Sequence, residues 1–186
     1  MEIHTPTRLI QEYSEGDITA LNQLFELVYD ELQLEAQRQR NRWNGLDTFN
    51  TIDLIHETYL KLWHHQPNKI ENRRHFFAIA AKAMRQILIN YAEMRSARKR
   101  GGHLIQVSAD ETDLIANNQA AVELLEMDEI LRKLEKMHPR QSKVFEYRFF
   151  GGMTVEDTGY VLNVSQSTVK RDWQAACNWI YDKMKE

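Results

Sequence analysis

Thr154-Val155-Glu156-Asp157-Thr158-Gly159-Tyr160-Val161-Leu162-Asn163-Val164-Ser165-Gln166-Ser167-Thr168-Val169-Lys170-Arg171-Asp172-Trp173 is the stretch whose reading decides the fold. Thr154 can cap a helix, with Asp157 three residues on in a capping-box position. Val155, Thr158, Gly159 and Leu162 then share one helical face. Asn163-Val164-Ser165 makes a short turn, and Ser165 caps a second helix that turns Val169, Trp173 and Ala176 inward. The small Gly159 permits a close crossing of the two helices. The pattern predicts a helix-turn-helix with Gln166, Ser167, Thr168, Lys170 and Arg171 at the outer, N-terminal end of its second helix. That end is where a recognition helix meets the major groove. Gln can bond an adenine edge, Lys or Arg a guanine edge, and Ser or Thr hydroxyls suit phosphates. An ordinary hairpin in a helical bundle is the competing reading, and it leaves the double capping and the outward polar cluster without a role.

Outward from this motif, apolar residues recur at helical spacing along nearly the whole chain. Asp17 can cap a helix over 18–42, with Leu21, Leu24, Phe25, Val28, Leu32 and Ala36 inward and Asn44-Gly45 as its stop. Asn50 or Thr51 caps a second helix through Ile52, Ile55, Tyr59 and Leu62-Trp63, and Pro67-Asn68 marks a loop. A third helix is expected from about Arg74 to Arg95. Its Phe77, Ala80, Ala81, Met84, Leu88 and Tyr91 face a core, while Arg73, Arg74, Lys82, Arg85 and Arg95 stand outside. Arg98-Lys99-Arg100-Gly101-Gly102 then opens a polar stretch, and helices follow over 121–137, 139–150 (with Pro139 at the first position), 155–162 and 166–183. The expected fold is all-α, with two helical domains, 1–97 and 121–186, joined by a flexible linker, 98–120.

The chain's 186 residues and net charge of -3 hide a segregation of charge. Residues 1–60 hold 4 Lys and Arg against 11 Asp and Glu, 61–100 hold 10 against 2, 101–135 hold 2 against 8, and 136–186 hold 8 against 6. A basic block between acidic ones fits a local polyanion site. On charge alone, a solvated helix face accounts for it equally well. The N-terminal residues carry no apolar signal segment, no apolar run is long enough to span a bilayer, and the lone Cys177 has no partner for an internal disulfide. A cytoplasmic protein with no membrane partner is expected.

The order of these pieces resembles a bacterial sigma factor of the extracytoplasmic function (ECF) type. The resemblance is carried by Asp53-Leu54-Ile55-His56-Glu57-Thr58-Tyr59-Leu60-Lys61-Leu62-Trp63, by Arg74-His75-Phe76-Phe77-Ala78-Ile79-Ala80 with Arg95-Ser96-Ala97-Arg98-Lys99-Arg100, and by Met153–Asp157 through Ser167–Trp173. It implies an all-α pair of domains, sigma regions 2 and 4. It implies that the helix 53–63 docks on the β′ coiled coil of core RNA polymerase, through Asp53, His56 and Glu57, and that the second domain meets the β flap. It further implies that the loop at 66–73 and the helix after it open the −10 element and hold an unstacked base. Asn68, Lys69, Asn72, Arg73, Arg74, Lys82 and Arg85 are the expected contacts there. The helix-turn-helix would read the −35 element. A basic helix that tracks phosphates and a pocket for an extruded base are physically reasonable tools for this. Phe76, Phe77, Trp63 and Tyr91 tempt a base-stacking role, but their helical spacing favours core packing.

The chain departs from the pattern in one place. Most ECF factors open the docking helix with an Asp-Ala-Glu-Asp-like acidic cluster, and here Asn50-Thr51-Ile52-Asp53 stands in its place. A phosphate on Thr51 would add about -1.5 to -2 charge at a helix N-terminus, roughly replacing the missing carboxylates. Some ECF subgroups resembling this chain lack an anti-sigma factor and are thought to be controlled by Ser/Thr kinases. The expectation is therefore that such a kinase switches the factor on through Thr51, although Thr51 as a plain N-cap is the simpler use of that residue. Thr58 is a weaker candidate.

Enzymatic chemistry finds no support. No nucleophile elbow or Ser-His-Asp order is present, and no phosphate-cradling glycine loop. His64-His65 point to different faces of a helix, and His56 and His103 lack partners at ligand spacing, so no metal, cofactor or small-molecule substrate is expected. The alternative function is a stand-alone helix-turn-helix regulator that binds operators without polymerase. It would need an apolar self-complementary face in the 45–100 block, where the sequence has a basic helix beside an acidic one.

Overall fold

The computed structural model describes residues 6–43, 50–64, 70–101 and 111–185, with backbone only for 98–101 and 111–118. These residues form eight helices and no strand: α1 (Pro6–Ser14), α2 (Ile18–Arg42), α3 (Thr51–His64), α4 (Arg73–Gly101), α5 (Glu111–Met137), α6 (Pro139–Phe149), α7 (Val155–Leu162) and α8 (Gln166–Lys183). The all-α expectation holds.

In the first half, α2 is capped by Asp17, whose carboxylate accepts from the Thr19 N–H at 2.8 Å. It buries all six residues of the expected stripe. The sequence reading did not foresee α1. Nine residues make a marginal helix in isolation, and this one is held by tertiary contacts. Leu9, Ile10 and Tyr13 are buried, the Tyr13 hydroxyl donates to the Leu62 carbonyl of α3, and the Ser14 hydroxyl accepts from the Ile70 N–H at 3.0 Å.

The inward face of α3 is Leu54, Ile55, Thr58 and Leu62, and Ile52, although apolar, is 64% exposed. Thr58 can turn inward because its hydroxyl donates to the Leu54 carbonyl at 2.7 Å, which leaves no unsatisfied polar group. On α4, Phe76 is the fully buried ring, edge-on to Phe25 at 5.9 Å, while Phe77 is only half-buried.

In the second half, Phe145 stacks between Phe149, at 4.8 Å, and Trp173, at 5.5 Å. α4 runs six residues past Arg95, to Gly101, and α5 starts at Glu111 rather than near Ala121. Helix therefore takes up both ends of the expected linker; 102–110 lies outside the described residues, as does the Asn44-Gly45 stop. The physical reason is local: Arg98-Lys99-Arg100 are good helix formers, and Leu114-Ile115-Ala116 continues an apolar period into Ala121.

The halves share one hydrophobic core, with α4 packed on α5, α6 and α7. Gly151 sits where a Cβ would lie 2.5 Å from the Ala81 Cβ of α4, so only glycine lets the chain come this close. At Gly152 (φ +62°) a Cβ would fall 2.1 Å from a Glu35 carboxylate oxygen of α2. Gln39 and Arg42 both donate to the Phe149 carbonyl at the end of α6, and the Arg42 guanidinium lies 4.3 Å over the Phe149 ring. Burial raises the Glu35 pKa, against the opposing pull of hydrogen bonds from Gln39 and Arg38 and the charge of Arg42.

Candidate nucleic-acid interface

The helix-turn-helix is built from local devices. Thr154 caps α7, its hydroxyl oxygen accepting from the Asp157 N–H at 3.0 Å. Asn163 ends α7 in the left-handed conformation (φ 52°), which Asn tolerates better than most residues. The Val164 N–H donates back to the Gly159 carbonyl at 2.9 Å. A Cβ on Gly159 would lie 2.8 Å from the Val164 carbonyl oxygen, so the turn folds directly over this glycine. Ser165 caps α8 by accepting from the Thr168 N–H at 3.2 Å.

The inner face of α8 is then fixed. Val169 and Ala176 are buried, and the buried Asp172 accepts from the Arg140 Nε of α6 at 2.6 Å. Arg140 and Asp172 were not singled out from the sequence. The available signal was a carboxylate at position 172 among the inward positions 169, 173 and 176, which requires a cationic partner. Gln166, Ser167, Lys170 and Arg171 are exposed together on the outer rim of α8, and Thr168 is half-buried beside the cap. The predicted −35 set is thus one continuous surface.

The described members of the predicted −10 set do not form one. Asn68 and Lys69 lie outside the described residues. Asn72 caps α4, its side-chain oxygen accepting from the His75 N–H at 3.0 Å. Arg73 pairs with Glu31 and lies over the Phe77 ring. Lys82 is exposed. Arg74 reaches across to the first turn of α7, where it bonds Asp157 at 2.6 Å and Glu156 at 3.4 Å and lies over the Tyr160 ring.

Arg85, expected outside, is only 12% exposed and bridges Asp128 of α5 at 2.7 Å and Glu146 of α6 at 2.8 Å. Its partners stand 43 and 61 residues away, beyond the reach of a local pattern. Burial pulls the Arg85 pKa down, but the hydrogen bonds and charges of Glu146 and Asp128 outweigh it and leave the guanidinium more firmly cationic.

On α3, His56 and Glu57 are exposed one turn from Asp53. Asn50 is the cap: its side-chain oxygen accepts from the Asp53 N–H at 2.8 Å, and Asp53 accepts in return from the Asn50 N–H at 3.3 Å. Thr51 therefore occupies the first helical position with its side chain outside the capping box.

A family model described as ECF sigma factor matches residues 4–186. The chain belongs to the ECF sigma factor family. Neither a search of curated proteins nor one of solved structures returned a match. As an ECF sigma factor, the chain binds core RNA polymerase and promoter DNA and directs promoter-specific initiation of transcription. No helix among the described residues is long and apolar enough to cross a membrane.

Proposed function

We propose that this sigma factor grips its promoter at two points, with residues 1–97 as region 2, 98–120 as the connecting segment and 121–186 as region 4. The observation that carries the reading is the outer rim of α8, where Gln166, Ser167, Lys170 and Arg171 are exposed while Val169, Asp172 and Ala176 hold the helix from within. With Thr168, these residues read the −35 element. Asn68, Lys69, Asn72, Arg73, Arg74, Lys82 and Arg85 serve the −10 element. Asp53, His56 and Glu57 dock on the β′ coiled coil, and region 4 meets the β flap. The chain acts in the cytoplasm as a polymerase subunit and catalyses nothing itself.

Thr51 is the proposed switch. Asn50 already caps α3, so the Thr51 hydroxyl is not consumed by the cap. A phosphate at the first helical position would face the positive end of the helix dipole and thicken the acidic docking surface around Asp53 and Glu57.

The test is run-off transcription with core polymerase on the factor's own promoter. Lys170→Ala/Arg171→Ala removes the dependence on the −35 sequence, and Lys82→Ala weakens −10 opening. A double variant that reads the −35 element as well as wild type overturns the reading. For the switch, Thr51→Ala abolishes promoter activity in cells with an active kinase, and a variant as active as wild type refutes it.

A further inference from the structure

We infer that the packed arrangement of the two halves is a self-inhibited state, in which carboxylates of the second half occupy the basic residues of α4 in place of DNA phosphates. This rests on the assignment of α4 to the −10 element. Arg85 is enclosed between Asp128 and Glu146, and Arg74 is tied to Asp157 and Glu156 at the foot of the helix-turn-helix. Each pair joins a cation of the first half to an anion of the second, so the second half presents α4 with the charge and hydrogen-bond acceptors that a DNA backbone would. The seam at Phe149–Gly152 completes the closure through Gln39, Arg42 and the Ala81–Gly151 contact.

Geometry forbids this state on a promoter. Elements named −10 and −35 lie roughly 25 base pairs apart, about 85 Å at 3.4 Å per base step. A compact chain of this length has a radius of gyration of about 16 Å and spans about 40 Å. The halves must part to hold both elements. When they do, Arg74 and Arg85 exchange carboxylates for phosphates. The cost of parting lowers the apparent affinity for promoter DNA by the fraction of chains that are open.

The experiment joins small-angle X-ray scattering on the full-length chain with promoter binding in the presence of core polymerase. Wild type alone is expected near a radius of gyration of about 16 Å. Asp128→Asn/Glu146→Gln, which removes the charges holding Arg85, raises that radius by a third or more. Arg42→Glu sets a carboxylate against the Phe149 carbonyl, opens the same seam from another point, and keeps the test alive if the first variant loses helicity. Opened variants bind promoter about tenfold tighter at limiting factor. A wild type already extended, variants that stay compact, or opened variants that bind no tighter would each overturn the inference. Lys82→Ala separates the two layers: if it leaves promoter binding unchanged while opening proceeds as expected, the assignment of α4 fails and the closure stands.

Discussion

Replacing Gly159 by alanine sets two well-known effects against each other at the tightest point of the DNA-reading motif. Alanine favours helix over glycine by about 0.5–1 kcal/mol, so an unobstructed α7 would gain stability. The added Cβ, however, would stand 2.8 Å from the Val164 carbonyl oxygen and 3.5 Å from a Val169 methyl. The near neighbour is backbone, and Val164 is itself held by its N–H bond to the Gly159 carbonyl. Relief requires the turn to move out by several tenths of an ångström, and overpacking of this kind costs about 1–3 kcal/mol. The balance is a net loss of about 1 kcal/mol, which lowers the melting temperature by roughly 2–4 °C in a chain of this size.

The larger consequence is for function. Val164 and Ser165 set the entry of α8, so a shifted turn misaligns the exposed rim against base edges. Losing one well-formed base contact lowers affinity for a −35 duplex by about tenfold. Gly159→Val adds two further methyls and costs about 3 kcal/mol. Thermal melting by circular dichroism, paired with fluorescence anisotropy on a −35 duplex, reads both effects. A Gly159→Ala protein that melts at or above wild type and binds with unchanged affinity would refute the close-crossing argument.

Other expectations follow from the same structure. Ser165→Ala removes the cap on the Thr168 N–H and costs about 1 kcal/mol, seen as a lower denaturant midpoint with an unchanged slope. Lys170→Ala removes one cation from the α8 rim, so it weakens binding to a −35 duplex and reduces the slope of log affinity against log salt by about 1. Burial holds the Glu35 carboxyl above its ordinary pKa in the folded chain. Between the ordinary carboxyl pKa and the raised one, the folded chain keeps a proton that the unfolded chain has released, and the contribution of Glu35 to stability falls as pH rises through its folded pKa. Glu35→Gln removes that loss, so the stability of the variant relative to wild type increases across that window and levels off above it. Urea denaturation across a pH series checks this, and a constant difference would contradict it.

The motif at 154–173 was legible because every device in it acts over three to five residues: Thr154 on Asp157, Ser165 on Thr168, and Gly159 beneath Val164. The stripe of α2 was legible for a similar reason, since a long helix packed on one side repeats its signal. Where tertiary packing decides, the sequence was silent or misleading. Nothing in Pro6–Ser14 alone demands a helix, because its support comes from Leu62 and Ile70. Ile52 fits the apolar period of α3 yet stands in solvent, while Thr58 goes inside by satisfying its own hydroxyl. Arg85 has the spacing of a surface residue, and only the distant Asp128 and Glu146 explain its burial. The surface on α8 was thus readable residue by residue, and the occupation of α4 was not.

Trp43 closes α2 beside the seam, 8% exposed and with its ring 6.4 Å from Phe149. Its indole nitrogen is buried and makes no hydrogen bond among the described residues. An indole held dry against another ring emits at shorter wavelength than one in water. The molecule therefore carries its own optical gauge at the join between its halves. Solvent reaching that ring shifts part of the tryptophan emission to the red, so closure can be followed in unlabelled protein, in real time, as polymerase or promoter is added.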